Sequence, residues 1–305
     1  MGGGKSMHNE QNDFESVDIE EFYDKDELND EFSTNLVVLT DKERVLVNLM
    51  FDKLKSISPE TLEVFAQNLD YLRDAIKKDF PKVPAHEYYL MDVPKVFESS
   101  FSPAAYLGFH LDNFDSNVII VNNRNVDSDF GVTVAHEGYP GHMHQSLYTR
   151  SHTKHVYMYV CGSTGYKEGW ATYCENYSMR YFSGNGMTDA VRYCQIDNDW
   201  TLLLSTRVDY GIHTEGWTLE ECVSYLNAHG MFVTKSSFKR FYTLLVTDPC
   251  YYVKYGMGYV WTSNVMNNMR TQFPKATDMQ IHTAYLDSLT CTFEQIEDNM
   301  KKTLK

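Results

Sequence analysis

The chain has 305 residues, of which 43% are hydrophobic and 23% charged, and it carries a formal net charge of −15. That length can bury a sizeable core in one large domain or two, and the acidity argues against a nucleic-acid-binding role. No apolar run approaches the ~20 residues of a membrane span and no signal-peptide core follows the start, so the sequence reads as that of a cytoplasmic protein without membrane contact.

In chain order, residues 1–35 read as an acidic leader: positions 1–32 alone hold 11 acidic side chains against two lysines, too few apolar groups to order the segment. The fold is assigned to residues 36–305. Apolar residues recur at helical spacing over Asp41–Lys55 and Pro59–Lys78. Residues 79–105, richer in proline and aromatics, read as a connection. The β-branched run Asn117–Asn122 is a short strand, either an ordinary hairpin strand or an edge to which an extended peptide adds. Helices dominate beyond it, and Thr218-Leu219-Glu220-Glu221 is a capping box that opens one of them. The expected fold is mainly α with a small β element. The six cysteines form no C-x-x-C pair, which favours reduced thiols over a disulfide framework or a cysteine–zinc site.

The stretch His136-Glu137-Gly138-Tyr139-Pro140-Gly141-His142 places two histidines around a glutamate. Neutral imidazoles and a carboxylate are zinc ligands, and a further free glutamate suits proton transfer in hydrolysis. His136 and His142 are the candidate ligands and Glu137 the candidate base. The common zinc helix spaces its histidines by four residues, on one face. A spacing of six on an unbroken helix would rotate the second side chain by about 600° and raise it by about 9 Å. Two bonds of ~2.1 Å to one ion do not span that. Pro140, however, cannot continue the helix, and Gly141 permits a tight backbone. One helix is therefore expected to end near Tyr139 and a second to start near Pro140, with His142 in its first turn.

Glu168 follows at a distance that accommodates the rest of that helix, a turn and another helix, and is the preferred third ligand. Glu175, seven residues later on nearly the same face, is read as accepting a hydrogen bond from a ligand imidazole, with zinc ligation as the alternative. Gln145 either positions the histidine helix or lies on the surface.

The segments H-E-G-Y-P-G-H-M-H-Q and E-G-W-A-T-Y-C-E (168–175) together resemble the bacterial family called domain of unknown function 885, marked by H-E-x-x-P-G-H-x-x-Q and E-G-W-A-x-Y-x-E. Thr206–His213, Gly216-Trp217, Pro249–Gly258 and Ile281-His282 are similar to later family segments. The resemblance covers roughly residues 85–300. It implies a mostly helical, zinc-dependent, peptidase-like enzyme, broadly similar to the thimet-oligopeptidase and carboxypeptidase groups. It also implies a longer family domain, of which this chain is the C-terminal half. Met143, Cys250-Tyr251 and the missing glycine after Ile281-His282 depart from the family pattern without removing a proposed ligand.

On that resemblance Tyr255, followed closely by Gly256 and Gly258, is the candidate donor to the oxyanion of peptide hydrolysis, with Tyr252 and Tyr259 as rivals. His213 is assigned to share that role or to hold substrate. Arg207 is a candidate for a substrate carboxylate, and Asp209 for orienting either one; an internal salt-bridge network is the competing account of all three. The expected activity is zinc-dependent cleavage of peptide bonds, as a carboxypeptidase or an oligopeptidase. A zinc-dependent amide or ester hydrolase of a small metabolite and a non-catalytic groove that binds a partner are the alternatives.

Overall fold

A computed structural model describes residues 61–98, 101–108, 115, 117–122, 130–155, 157–160, 162–182 and 188–305. The acidic leader and the helix expected over Asp41–Lys55 lie outside these residues. The described part of the second expected helix is α1 (Thr61–Ala75), extended by a 3-10 turn at Ile76–Lys78. Its Phe65, Leu69, Leu72 and Ile76, spaced by three or four residues, are all buried.

The stretch 79–105, expected to be a connection, instead contains β1 (Tyr88–Asp92) and the start of β2 (Ala104–Gly108). The expected strand is β3 (Asn117–Val121), and it lies in the middle of the sheet, parallel to β1 and antiparallel to β2. With ladder bonds on both sides it has no free edge, so the edge-addition reading of this strand is corrected; β2, which precedes it in the chain, is its antiparallel partner and is itself an edge. The alternation of β3 explains the placement: Asn117, Ile119 and Val121 are buried and Val118 and Ile120 less so.

The remainder is helical. After β3 come α2 (Phe130–Glu137), α3 (His142–His152), the short α4 (Tyr157–Val160), α5 (Thr164–Phe182) and α6 (Thr188–Tyr210). A wide π-type turn at Gly211–Glu215 leads through Gly216, at φ 72°, to α7 (Leu219–Ala228), α8 (Lys235–Thr247), α9 (Val253–Gln272), α10 (Asp278–Asp287) and α11 (Phe293–Leu304). The Thr218–Glu221 capping box opens α7, and similar boxes open α8, α10 and α11. Each satisfies orphan amides at a helix start, a contribution of about 1 kcal/mol.

Two cores result. The larger joins Phe65 and Leu69 of α1, Ile119 of β3, Val134 of α2, Met143 and Leu147 of α3, Trp170 of α5, Met266 of α9 and Tyr285 of α10. The smaller joins Leu204 and Val208 of α6, Leu226 of α7 and Leu245 of α8. His282 of α10 pins the larger core. It is fully buried, stacks on Phe80 at 4.1 Å, and donates from Nδ1 to the carbonyl of Asp79 (2.6 Å). Its Nε2 accepts from the Tyr173 hydroxyl (2.7 Å), whose oxygen accepts in turn from Arg270 (2.7 Å). Burial pushes the His282 pKa down to about 3, so the ring stays neutral and this tautomer is the one the network needs.

Candidate metal centre

The chain break at the histidines is real and slightly wider than the sequence suggests: α2 ends at Glu137 and α3 begins at His142. The Gly138 amide still bonds to Val134, closing the last turn, but the Gly141 amide reaches back to Ala135. Gly141 caps α3, and a β-carbon there would fall well inside van der Waals distance of the carbonyls of His136 and Ala135. The Pro140 carbonyl, left without a helical partner, accepts from the Trp170 indole (2.9 Å) and the Cys174 thiol (3.5 Å). Both donors sit on α5, the helix that carries Glu168 and Glu175. One helix therefore clamps the break and supplies the third carboxylate.

The consequence is convergence. His136, His142 and Glu168 each offer a donor atom, and the three atoms lie within 4.8 Å of one another. Glu168 Oε2 is 3.5 Å from His136 Nε2 and 3.2 Å from His142 Nε2. Bonds of 2.0–2.2 Å in a tetrahedron around zinc place neighbouring donors about 3.3 Å apart. Both distances to Glu168 match that spacing, and two imidazoles with one carboxylate form a donor set suited to zinc. The two imidazoles stand nearly perpendicular (83°), with centroids 4.6 Å apart, and the Nε2 atoms of both approach the same Glu168 oxygen.

Glu175 accepts a hydrogen bond from His136 Nδ1, which leaves Nε2 as the free ligand atom of that ring. This is the role preferred from the sequence. Electrostatics agree with a cation-seeking cluster. Burial opposes a charge on His136, but the Glu175 and Glu168 carboxylates outweigh it and hold its pKa well above the usual histidine value. Burial likewise opposes ionisation of Glu168, yet hydrogen bonds from His136 and His142 drive its pKa far below the usual carboxylate range.

Glu137 leaves α2 about one-third of a turn from His136. One oxygen accepts from the Tyr106 amide of β2 (2.8 Å), and the other has no hydrogen-bond partner among the described residues. Edge strand β2 was not anticipated in this role. Tyr255, in the first turn of α9, lies with its ring 6.3 Å from that of His136. Burial, then the charges of Glu168 and Glu137, raise its pKa, so its hydroxyl remains a proton donor. Of the rivals, Tyr259 spends its hydroxyl on Asp199 (2.9 Å), and the Tyr252 main chain forms the cap of α9. Tyr251, not singled out from the sequence, also feels the charge of Glu168.

Three assignments require correction. Asp209 is fully buried and accepts from the backbone amides of Cys250 (3.2 Å), Tyr252 (2.8 Å) and Val253 (3.3 Å). It is the anchor of the turn that launches α9, not a substrate contact. Arg207 pairs with Glu215 (3.0 Å) and lies over the Trp217 ring (4.2 Å), so its charge is already committed. His213 donates from Nε2 to the Leu245 carbonyl (2.8 Å), with Asp209 at 3.7 Å, so its ring is engaged with α8 rather than with the cluster. The internal-network account fits this trio. Gln145 is buried beside Tyr166 in α3, which removes the surface alternative.

Among the described residues no helix is long and apolar enough to cross a membrane. No curated protein matches the sequence. The fold is shared with a protein of Colwellia psychrerythraea described as a "putative lipoprotein", at a TM-score of 0.69 and 16% identity over 80% of this chain and 43% of that one. It is also shared with a "putative lipoprotein of unknown function" of Shewanella oneidensis, at 0.67 and 16% over 90% and 52%. The chain thus spans about half the length of these solved relatives. The profile of the bacterial proteins of unknown function DUF885 matches residues 37–300, and the chain belongs to that family.

Proposed function

We propose that the cluster is the centre of a zinc-dependent hydrolase that cleaves peptide bonds. The observation that carries this reading is the convergence of three donor atoms within 4.8 Å of one another, with a half-satisfied carboxylate and a tyrosine beside them. Zinc held by His136, His142 and Glu168 would supply Lewis acidity and lower the pKa of water in its vicinity towards ~7. Glu137, steadied by the Tyr106 amide, accepts the proton of the attacking water and passes it to the departing amine. Tyr255 donates to the oxygen of the attacked carbonyl, where charge accumulates. Glu175 keeps the His136 ring in one orientation. The description of two solved relatives as lipoproteins favours the cell envelope over the cytoplasm as the place where this happens.

The test is cleavage of a peptide library by the zinc-loaded protein beside Glu137→Gln, with zinc content measured in both. Cleavage by the parent, with a loss of at least a hundredfold in the variant at equal zinc, is expected. Turnover of small acyl amides but of no peptide would replace the substrate class. No turnover of either would leave a binding groove.

A further inference from the structure

We propose that Lys254 grips the terminal carboxylate of the substrate, so that the site removes residues from the C-terminal end of peptides. This rests on reading the His136–His142–Glu168 cluster as a peptide-hydrolysing centre. Anionic groups crowd that cluster: Glu137, Glu168 and Glu175 all lie in or against it. A substrate with a free carboxylate would be repelled unless a cation stood close by with no carboxylate of its own. Arg207, the obvious choice in the sequence, fails because Glu215 holds it. Arg270 and Arg180 of the neighbouring helices are both directed at Asp278.

Lys254 meets the requirement. It is partly buried, and its ammonium lies 5.0 Å from the Tyr251 ring centroid and 5.2 Å from that of Tyr255, with no carboxylate in ion-pair range among the described residues. Those two rings stand 6.1 Å apart and face the site: both feel the charge of Glu168, and Tyr255 lies 6.3 Å from the His136 ring. The ammonium therefore lies against the same two tyrosines that border the cluster. In a peptide cleaved at its last bond, the carboxylate lies one residue, about 3.8 Å, beyond the scissile group. The flexible four-carbon stem of lysine lets the ammonium swing from the tyrosines towards that position.

The experiment compares three blocked dipeptides with the zinc-loaded full chain: one ending in leucine as the free acid, the same peptide as its amide, and an amidated peptide ending in glutamate. The expected result is a free-acid preference in kcat/KM of about tenfold, expressed in KM, as for one partly desolvated ion pair. In Lys254→Met the ratio of free acid to amide falls towards one, and Lys254→Arg restores it. A parent without preference, an equal loss on both leucine peptides in Lys254→Met, or cleavage of the amidated glutamate peptide as fast as the free acid would overturn the assignment. Should no peptide be turned over, the peptidase reading falls on its own. The carboxylate assignment is then decided by calorimetric binding of the leucine free acid and amide: tighter free-acid binding by the parent than by Lys254→Met upholds it, and equal binding overturns it.

Discussion

Gly169 and Gly258 meet backbone to backbone where α5 crosses α9. A β-carbon on Gly169 would stand 2.8 Å from the Gly258 Cα and closer still to its carbonyl. This crossing fixes the candidate ligand Glu168, next to Gly169, against Tyr255, three residues before Gly258. Backbone cannot yield as a side chain can, so Gly169→Ala forces the two helices apart. It is expected to cost about 3 kcal/mol and to weaken zinc binding, both read from denaturant unfolding and a zinc titration. Unaltered stability would mean that the helices do not approach this closely.

Asp209 is predicted to support the fold without touching the metal. Asp209→Ala removes the buried acceptor of three backbone amides and should destabilise the protein by about 2–4 kcal/mol. Its zinc content should equal that of the parent. Parent-like stability, combined with a raised KM for peptides, would restore the substrate role that the burial of Asp209 speaks against.

The buried His282 sets a pH dependence. Its folded pKa of about 3 lies below the unfolded value of about 6.5, so between the two the unfolded chain binds the extra proton. Stability is therefore complete above about pH 6.5 and is lost as the pH falls from there towards 3, by about 2 kcal/mol at pH 5 from this residue. His144, buried and likewise lowered to about 3, adds in the same sense. Unfolding of the parent and His282→Gln at pH 7.5 and pH 5 checks the share of His282: the variant should lose less stability on acidification. Equal losses would show that His282 is not held neutral.

The cluster was legible because its information is local. Pro140 and Gly141 announce a break, and the break alone reconciles a six-residue histidine spacing with a single ion. Glu168 and Glu175 could be ranked because seven residues bring a helix back to the same face. The sheet was legible only in β3, whose β-branched residues alternate; Tyr88–Asp92 of β1 and Ala104–Gly108 of β2 lack that signature and take their form from pairing with it. The choice between substrate binding and an internal network for Arg207 and Asp209 was not legible because side-chain type does not reveal a partner. The amides that Asp209 holds lie more than 40 residues away, at Cys250 to Val253. Lys254 carries no motif at all, and its place becomes evident only from the tyrosines beneath it.

The central claim is that His136, His142 and Glu168 hold one metal ion. Zinc content of the purified, reconstituted protein by elemental mass spectrometry tests it most directly, beside Glu168→Ala and Glu175→Gln. The account predicts about one zinc per chain in the parent, far less in Glu168→Ala, and an affinity lowered by about 10–100-fold in Glu175→Gln, where His136 loses its charged acceptor. A parent that takes up no zinc, or a Glu168→Ala variant that retains as much as the parent, would contradict it.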